Sequence, residues 1–246
     1  MTNVNATSRR SEQGFTLVEL AIVMVIIGLL IGGILKGQEL IANAKISGTI
    51  GQVKGLDAAM NTFQDKYNGL PGDIRTPNTR LPGWAGTCNT AGDGNGVYAN
   101  VAGAAPAIGN EGVVAFSQLA AADLISGIDP NATVMGVGQT IPAVKAGGGM
   151  WVGASSNTGT ATATGATLTP NRTYAALNGS AAIVSGTSGA FTPTTAAQID
   201  RKLDDGAPNV GNTQAVCASG ITGAGVTGTY DEGQIGPCAL YARVLN

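Results

Sequence analysis

Phe15 to Leu35 reads FTLVELAIVMVIIGLLIGGIL, twenty-one residues that carry a single charge, Glu19. As a helix rising 1.5 Å per residue this stretch spans about 32 Å, close to the ~30 Å hydrocarbon core of a bilayer. The residues before it, MTNVNATSRRSEQG, are polar and contain Arg9 and Arg10. Cations ahead of an apolar span keep that end in the cytoplasm and send the remainder of the chain outward.

Three organisations compete for this segment. A secretory signal peptide has Ala42-Asn43-Ala44 as its cleavage site. It conflicts with an apolar run longer than the usual ~7–15 residues and with Lys36 and Glu39 between run and site. A permanent signal anchor fits the length. Neither uses Gly14, directly before the run, or the carboxylate inside it. An acid in a membrane segment costs about 2.5–3.5 kcal/mol at the centre of the span and less toward the interface, so it reads as functional by default. Cleavage after Gly14 would give Phe15 a free, positively charged amine. Glu19 lies one helical turn further on with the opposite charge, and could answer that amine within a chain or between chains in the apolar centre of a fibre.

Gly14-Phe15-Thr16-Leu17-Val18-Glu19 resembles the prepilin motif of type IV pilins and type II secretion pseudopilins. The resemblance covers about the first fifty residues. It implies a prepilin peptidase cutting between Gly14 and Phe15, N-methylation of Phe15, and a Glu19 contact to the N-terminus of an adjacent subunit. It also implies the type IV pilin fold, α+β, with a long N-terminal helix packed on a small antiparallel sheet. The expected partners are other copies in a homo-oligomeric filament, the peptidase, a pilus or secretion assembly platform with its ATPase, and the inner membrane before assembly. Where many type IV pilins have a proline some twenty residues into the mature helix, this chain has Lys36 and Gly37.

Downstream, Ile46, Ile50, Val53, Leu56, Met60, Phe63 and Tyr67 recur at intervals of three and four, one stripe of an amphipathic helix. Asn68-Gly69 supplies the stop, followed by Pro71. The expected organisation is a leader over 1–14, one helix over 15–67 with 15–35 as membrane and filament core, and a head over 68–246. Continuity of the stripe argues against cleavage at Ala44.

Composition narrows the function. Charged residues make up 11% of the 246 and the net charge is −2, leaving no basic surplus for nucleic acid. The chain has no histidine, which removes the commonest general base and metal ligand. An enzyme is not expected; the remaining catalytic reading rests on Asp200, Asp204 and Asp205. No cofactor is expected either. Asp93 and Asn95 in the polar loop 87–96 are spaced like part of a calcium loop, and some pseudopilins bind calcium in the head, but the distal glutamate is missing. A glycine-rich turn is the plainer reading.

Cys88, Cys217 and Cys238 allow three pairings. Outside the cytoplasm Cys217–Cys238 is the expected bridge, as the pair nearest in sequence. The resemblance adds that pilins close a C-terminal loop with a disulfide, which leaves Cys88 free or linked between subunits.

Within the head, Glu111–Ile125 and Thr195–Asp205 read as short helices, the second with Thr195 and Gln198 as a capping box and Gly206 as its stop. FSQLAAADLISG and IDRKLDDGAP, which overlap them, also resemble stretches of bacterial prepilin-like proteins. Strands are expected at Ala132–Val137, Met150–Val152, Arg172–Leu177, Ala181–Val184, Gln214–Cys217 and Cys238–Leu245. Residues 146–195, rich in Thr, Gly, Ala and Ser, read as an exposed low-complexity insertion. Three roles follow from all this: a filament subunit, a type II secretion pseudopilin in a periplasmic pseudopilus, or an anchored or secreted binding module that does not polymerise.

Overall fold

The computed structural model describes residues 14–81, 84, 92–99, 107, 109–130, 132, 134–155, 160–161, 166–168, 172–178, 191–217, 229–233 and 236–245. Residues 1–13 of the leader, Cys88 and the expected strand Ala181–Val184 lie outside them. The chain divides into two compact units, Met1–Asn43 and Ala44–Asn246.

Helix α1 runs Leu17–Tyr67 without a break. Leu, Ile, Ala and Met dominate its first half and favour helix strongly enough to carry Gly28, Gly32 and Gly33, each costing roughly 1 kcal/mol against alanine. It stops where the sequence said it should. Asn68 takes a left-handed conformation, φ 48°, and its N–H donates to the Gln64 carbonyl at 2.8 Å. In the second unit the helix buries Ile46, Thr49, Val53, Leu56, Ala59, Met60, Phe63 and Tyr67. That is the expected stripe, widened by Thr49 and Ala59 and with Ile50 only half-buried.

The head is built around a four-stranded antiparallel sheet. Its strands are β1 Gly149–Ala154, β4 Thr173–Asn178, β5 Thr213–Cys217 and β6 Cys238–Val244, in the order β1-β4-β6-β5. A separate two-stranded ladder joins β2 Thr160–Ala161 to β3 Ala166–Thr167. Three further helices complete the described elements: α2 Pro77–Arg80, α3 Glu111–Ala121 and α4 Pro193–Leu203. Helix α3 packs on β1, and α4 on β5 and β6. One apolar core joins Met60 and Phe63 of α1, Phe116 and Leu119 of α3, Ile199 of α4, and Tyr174, Leu240 and Tyr241 of the sheet. The α+β architecture is therefore the expected one.

Polar clasps fix the helix to its own head. The Gln52 side chain donates to the Ala143 carbonyl at 2.8 Å and accepts from the Lys145 N–H at 2.9 Å. Thr49 Oγ1 accepts from the Ala146 N–H at 3.0 Å, and Asp57 Oδ1 from the Leu245 N–H at 2.9 Å.

Several expectations need correction. The segment 146–195 is not an exposed insertion where it is described. Strands β1 and β4 come from it and are buried along nearly their whole length. Small residues there are what a tightly covered sheet tolerates: Ala175 and Ala176 sit against neighbouring strands with almost no exposure. Ala132–Val137 is no strand among the described residues; Val137 makes only an isolated bridge to Ile141. Helix α3 ends four residues early. Asp123 turns left-handed at φ 59°, and the Leu124 N–H reaches back to the Leu119 carbonyl at 3.0 Å, a closed C-terminal cap. Helix α4 starts two residues early, because Thr192 rather than Thr195 is the N-cap. Its Oγ1 accepts from the Thr195 N–H at 3.2 Å, and Pro193 suits the first helical position.

Candidate assembly segment and head clusters

In the first unit the large apolar side chains of the helix are exposed among the described residues. Phe15 and Leu17 are each 90% exposed, and every large apolar residue from Val18 to Leu35 stands open. No ionisable side chain lies between Glu19 and Lys36, and Lys36 pairs with Glu39 at 2.7 Å just beyond the run. This part of α1 is long and apolar enough to cross a membrane.

Glu19 has a local partner that was not read from the sequence. Its Oε2 accepts from the Thr16 N–H and from Thr16 Oγ1, both at 2.9 Å. The Glu19 N–H donates back to Thr16 Oγ1 at 3.2 Å. Thr16 is thus the N-cap of α1 and Glu19 its third residue, a reciprocal capping box. The T-x-x-E spacing that signals it stood in the sequence. A carboxylate here satisfies two donors at the helix start and stands in the positive end of the helix dipole. Phe15, four residues before Glu19 in the sequence, stands directly ahead of this cap.

Asp93 and Asn95 close a turn on one another. Asp93 Oδ1 accepts from the Asn95 N–H at 3.0 Å, its Oδ2 from Asn95 Nδ2 at 2.7 Å, and Asn95 Oδ1 from the Val97 N–H at 2.7 Å. The carboxylates that gather near Asp93 are Asp73 and Glu111, with one oxygen of each of the three mutually within 4.8 Å. Asp73 accepts from the Gly94 and Gly96 N–H groups, both at 2.7 Å, and Glu111 from the Ala99 N–H at 2.6 Å. Burial raises both the Asp73 and the Glu111 carboxyl, against the lowering pull of these backbone donors. Their oxygens are engaged in shaping the loop, and a cation would have to compete with those N–H groups. Gly72 shows how tight the loop is: at φ 90°, a Cβ on it would lie 2.1 Å from the Glu111 carbonyl oxygen.

Asp200, Asp204 and Asp205 also come together, at the end of α4. Asp200 is buried and its Oδ2 accepts from the Tyr230 hydroxyl at 2.8 Å. Asp204 Oδ2 accepts from the Asn212 and Thr213 N–H groups, and Asp205 Oδ1 from the Ala207 N–H at 2.9 Å. Burial, with the Asp205 and Asp204 charges adding to it, raises the Asp200 carboxyl to about 6, against the pull of Tyr230. The trio organises the turn from α4 into β5. No local pattern signals the Tyr230 contact, thirty residues away.

Cys217 and Cys238 form a disulfide and face each other in the β5–β6 register. The bridge ties the end of the edge strand β5 to the start of the inner strand β6.

Comparison with known proteins adds one positive finding. The prokaryotic N-terminal methylation motif matches residues 9–35, which takes in Gly14, Phe15, Glu19 and the apolar run. No curated protein and no solved structure matches the chain. With an uncovered apolar helix that opens on Thr16 and Glu19 and continues into an α+β head, the chain carries the prepilin-type signature of type IV pilins and pseudopilins.

Proposed function

We propose that the protein is a structural subunit of a type IV pilus-like filament, cut after Gly14, methylated on Phe15 and polymerised through the first half of α1. The observation that carries this reading is the open apolar surface from Leu17 to Leu35, with one carboxylate in its first turn. Contiguous apolar surface of this extent marks contact with membrane or with other chains. Before cleavage it sits in the inner membrane with the head outside the cytoplasm. After cleavage it exchanges lipid for neighbouring helices. That exchange yields little hydrophobic gain, so close packing at the small residues Gly28, Gly32 and Gly33 and the pairing of Glu19 with an amine supply the specificity. Beyond the adjoining helix backbone, a Cβ at any of these glycines would meet no atom of the described residues within 4 Å, which suits close approach by a neighbour. The role is structural and non-enzymatic, and the carboxylate clusters of the head serve its loops.

Intact-mass analysis of the chain purified from its native host tests the processing. The expected N-terminus is methyl-Phe15. A chain that starts at Lys45, or that retains Arg9 and Arg10, contradicts the reading. Imaging the same cells separates surface fibres from a periplasmic pseudopilus.

A further inference from the structure

A cleft of about 460 Å³ lies in the head where α1 ends, lined among others by Gln64, Asn68, Asp73, Arg75, Arg80 and Asn95. It exceeds the volume of a bare inorganic ion and falls in the range of small-ligand sites, roughly 300–1,000 Å³. Its two arginines are held in place by backbone and not by acids. Arg75 Nε donates to the Asp93 carbonyl, and Arg80 Nη2 to the Tyr67 carbonyl at the end of α1. Gly94, at φ 66°, lets the loop lie directly on the Arg75 stem: a Cβ there would come within 2.8 Å of Nε. Among the described residues neither guanidinium forms an ion pair. Each has five N–H donors and, among the described residues, spends them on one contact.

Asp73, the acid in the lining, forms an ion pair with neither of them. Both its oxygens are taken by the Gly94 and Gly96 N–H groups. The side-chain amides of Gln64 and Asn68 make no hydrogen bond among the described residues, and offer donors and acceptors at the same cleft. Two pinned guanidinium forks suit a planar two-oxygen group, and free amides suit hydroxyls beside it.

We propose that this cleft is a binding site for an acidic saccharide, with Arg75 and Arg80 on its carboxylate and Gln64 and Asn68 on its hydroxyls. The site belongs to the head alone. It goes beyond the assembly role and does not depend on it.

The test is a titration of the full chain, unassembled in detergent, with D-glucuronate, D-glucose and inorganic phosphate, read by saturation-transfer NMR. Saturable glucuronate binding is expected, weakened about tenfold or more in the Arg75→Gln/Arg80→Gln double variant and several-fold in Arg75→Lys, which keeps charge but loses the fork. Glucose should bind at least about tenfold more weakly, since it lacks the carboxylate. If loss of the Tyr67 contact unfolds the Arg80 variant, Arg75→Gln alone carries the comparison, with an unchanged melting temperature as its control. Absence of saturable glucuronate binding, equal binding by the arginine variants, or phosphate binding as tight as glucuronate would each overturn the assignment. Because the measurement uses unassembled chain, its failure leaves the filament reading untouched, and failure to form filaments leaves this one untouched.

Discussion

The two halves of α1 both carry large apolar residues and do opposite things with them. From Leu17 to Leu35 its apolar side chains are exposed on every face; from Ile46 to Tyr67 they form a single stripe, and that stripe is buried. Large residues such as Ile26 in the first half and Phe63 in the second differ in exposure, 51% against 0%. Burial in the second half contributes to the stability of the head. Exposure in the first half contributes nothing to it, and leaves a surface whose partners must be lipid or other subunits.

Substitution breaks this symmetry most clearly at Phe63. Phe63→Ala empties a fully buried site whose ring lies tilted against Tyr67 with centroids 4.6 Å apart, and should destabilise the head by about 3–5 kcal/mol in chemical denaturation. Removing the Cys217–Cys238 bridge, by reduction or by paired alanines, should cost about 3 kcal/mol for a loop with sequence separation 21. A melt under reducing and oxidising conditions reads it directly.

A smaller effect is expected at Asp200. Its carboxyl stands at about 6 in the fold against an ordinary 3.8. The folded state therefore holds a proton that the unfolded chain has already lost between those values. The stabilisation is complete below about 4 and is lost as the pH rises through about 6. Asp200→Asn should flatten that part of the melting temperature against pH and leave the protein no less stable at neutral pH. A slope unchanged in the variant would assign the titration elsewhere. Smallest of all, Ile26→Ala in the exposed half should move head unfolding by no more than about 0.5 kcal/mol. A larger shift would mean that the first half of α1 has a partner within the chain.

Much of this was legible in the sequence because the decisive patterns are local. The apolar run, the three-four spacing from Ile46 to Tyr67 and the Asn68 stop each depend on neighbours a turn apart. The strands were harder. β1, β4 and β6 are buried on both faces, so they lack the alternation that marks a half-covered strand. Ala175 and Ala176 in such a strand look like linker composition until the sheet closes over them. The contacts of the head clusters join Asp73 to Gly96 and Asp200 to Tyr230, across separations with no local signature. Thr16 is the exception, a local signal overshadowed by the more conspicuous charge at Glu19.

That pair also supplies the sharpest test. Glu19 has two separate tasks open to it, capping the helix through Thr16 and pairing as a charge with a freed amine. Glu19→Gln separates them, because glutamine fills the third position of a capping box as glutamate does but carries no charge. In the native host the variant should be cut and methylated normally and yield few filaments. Filaments at wild-type abundance would show that the carboxylate only caps the helix, and would contradict assembly through its charge.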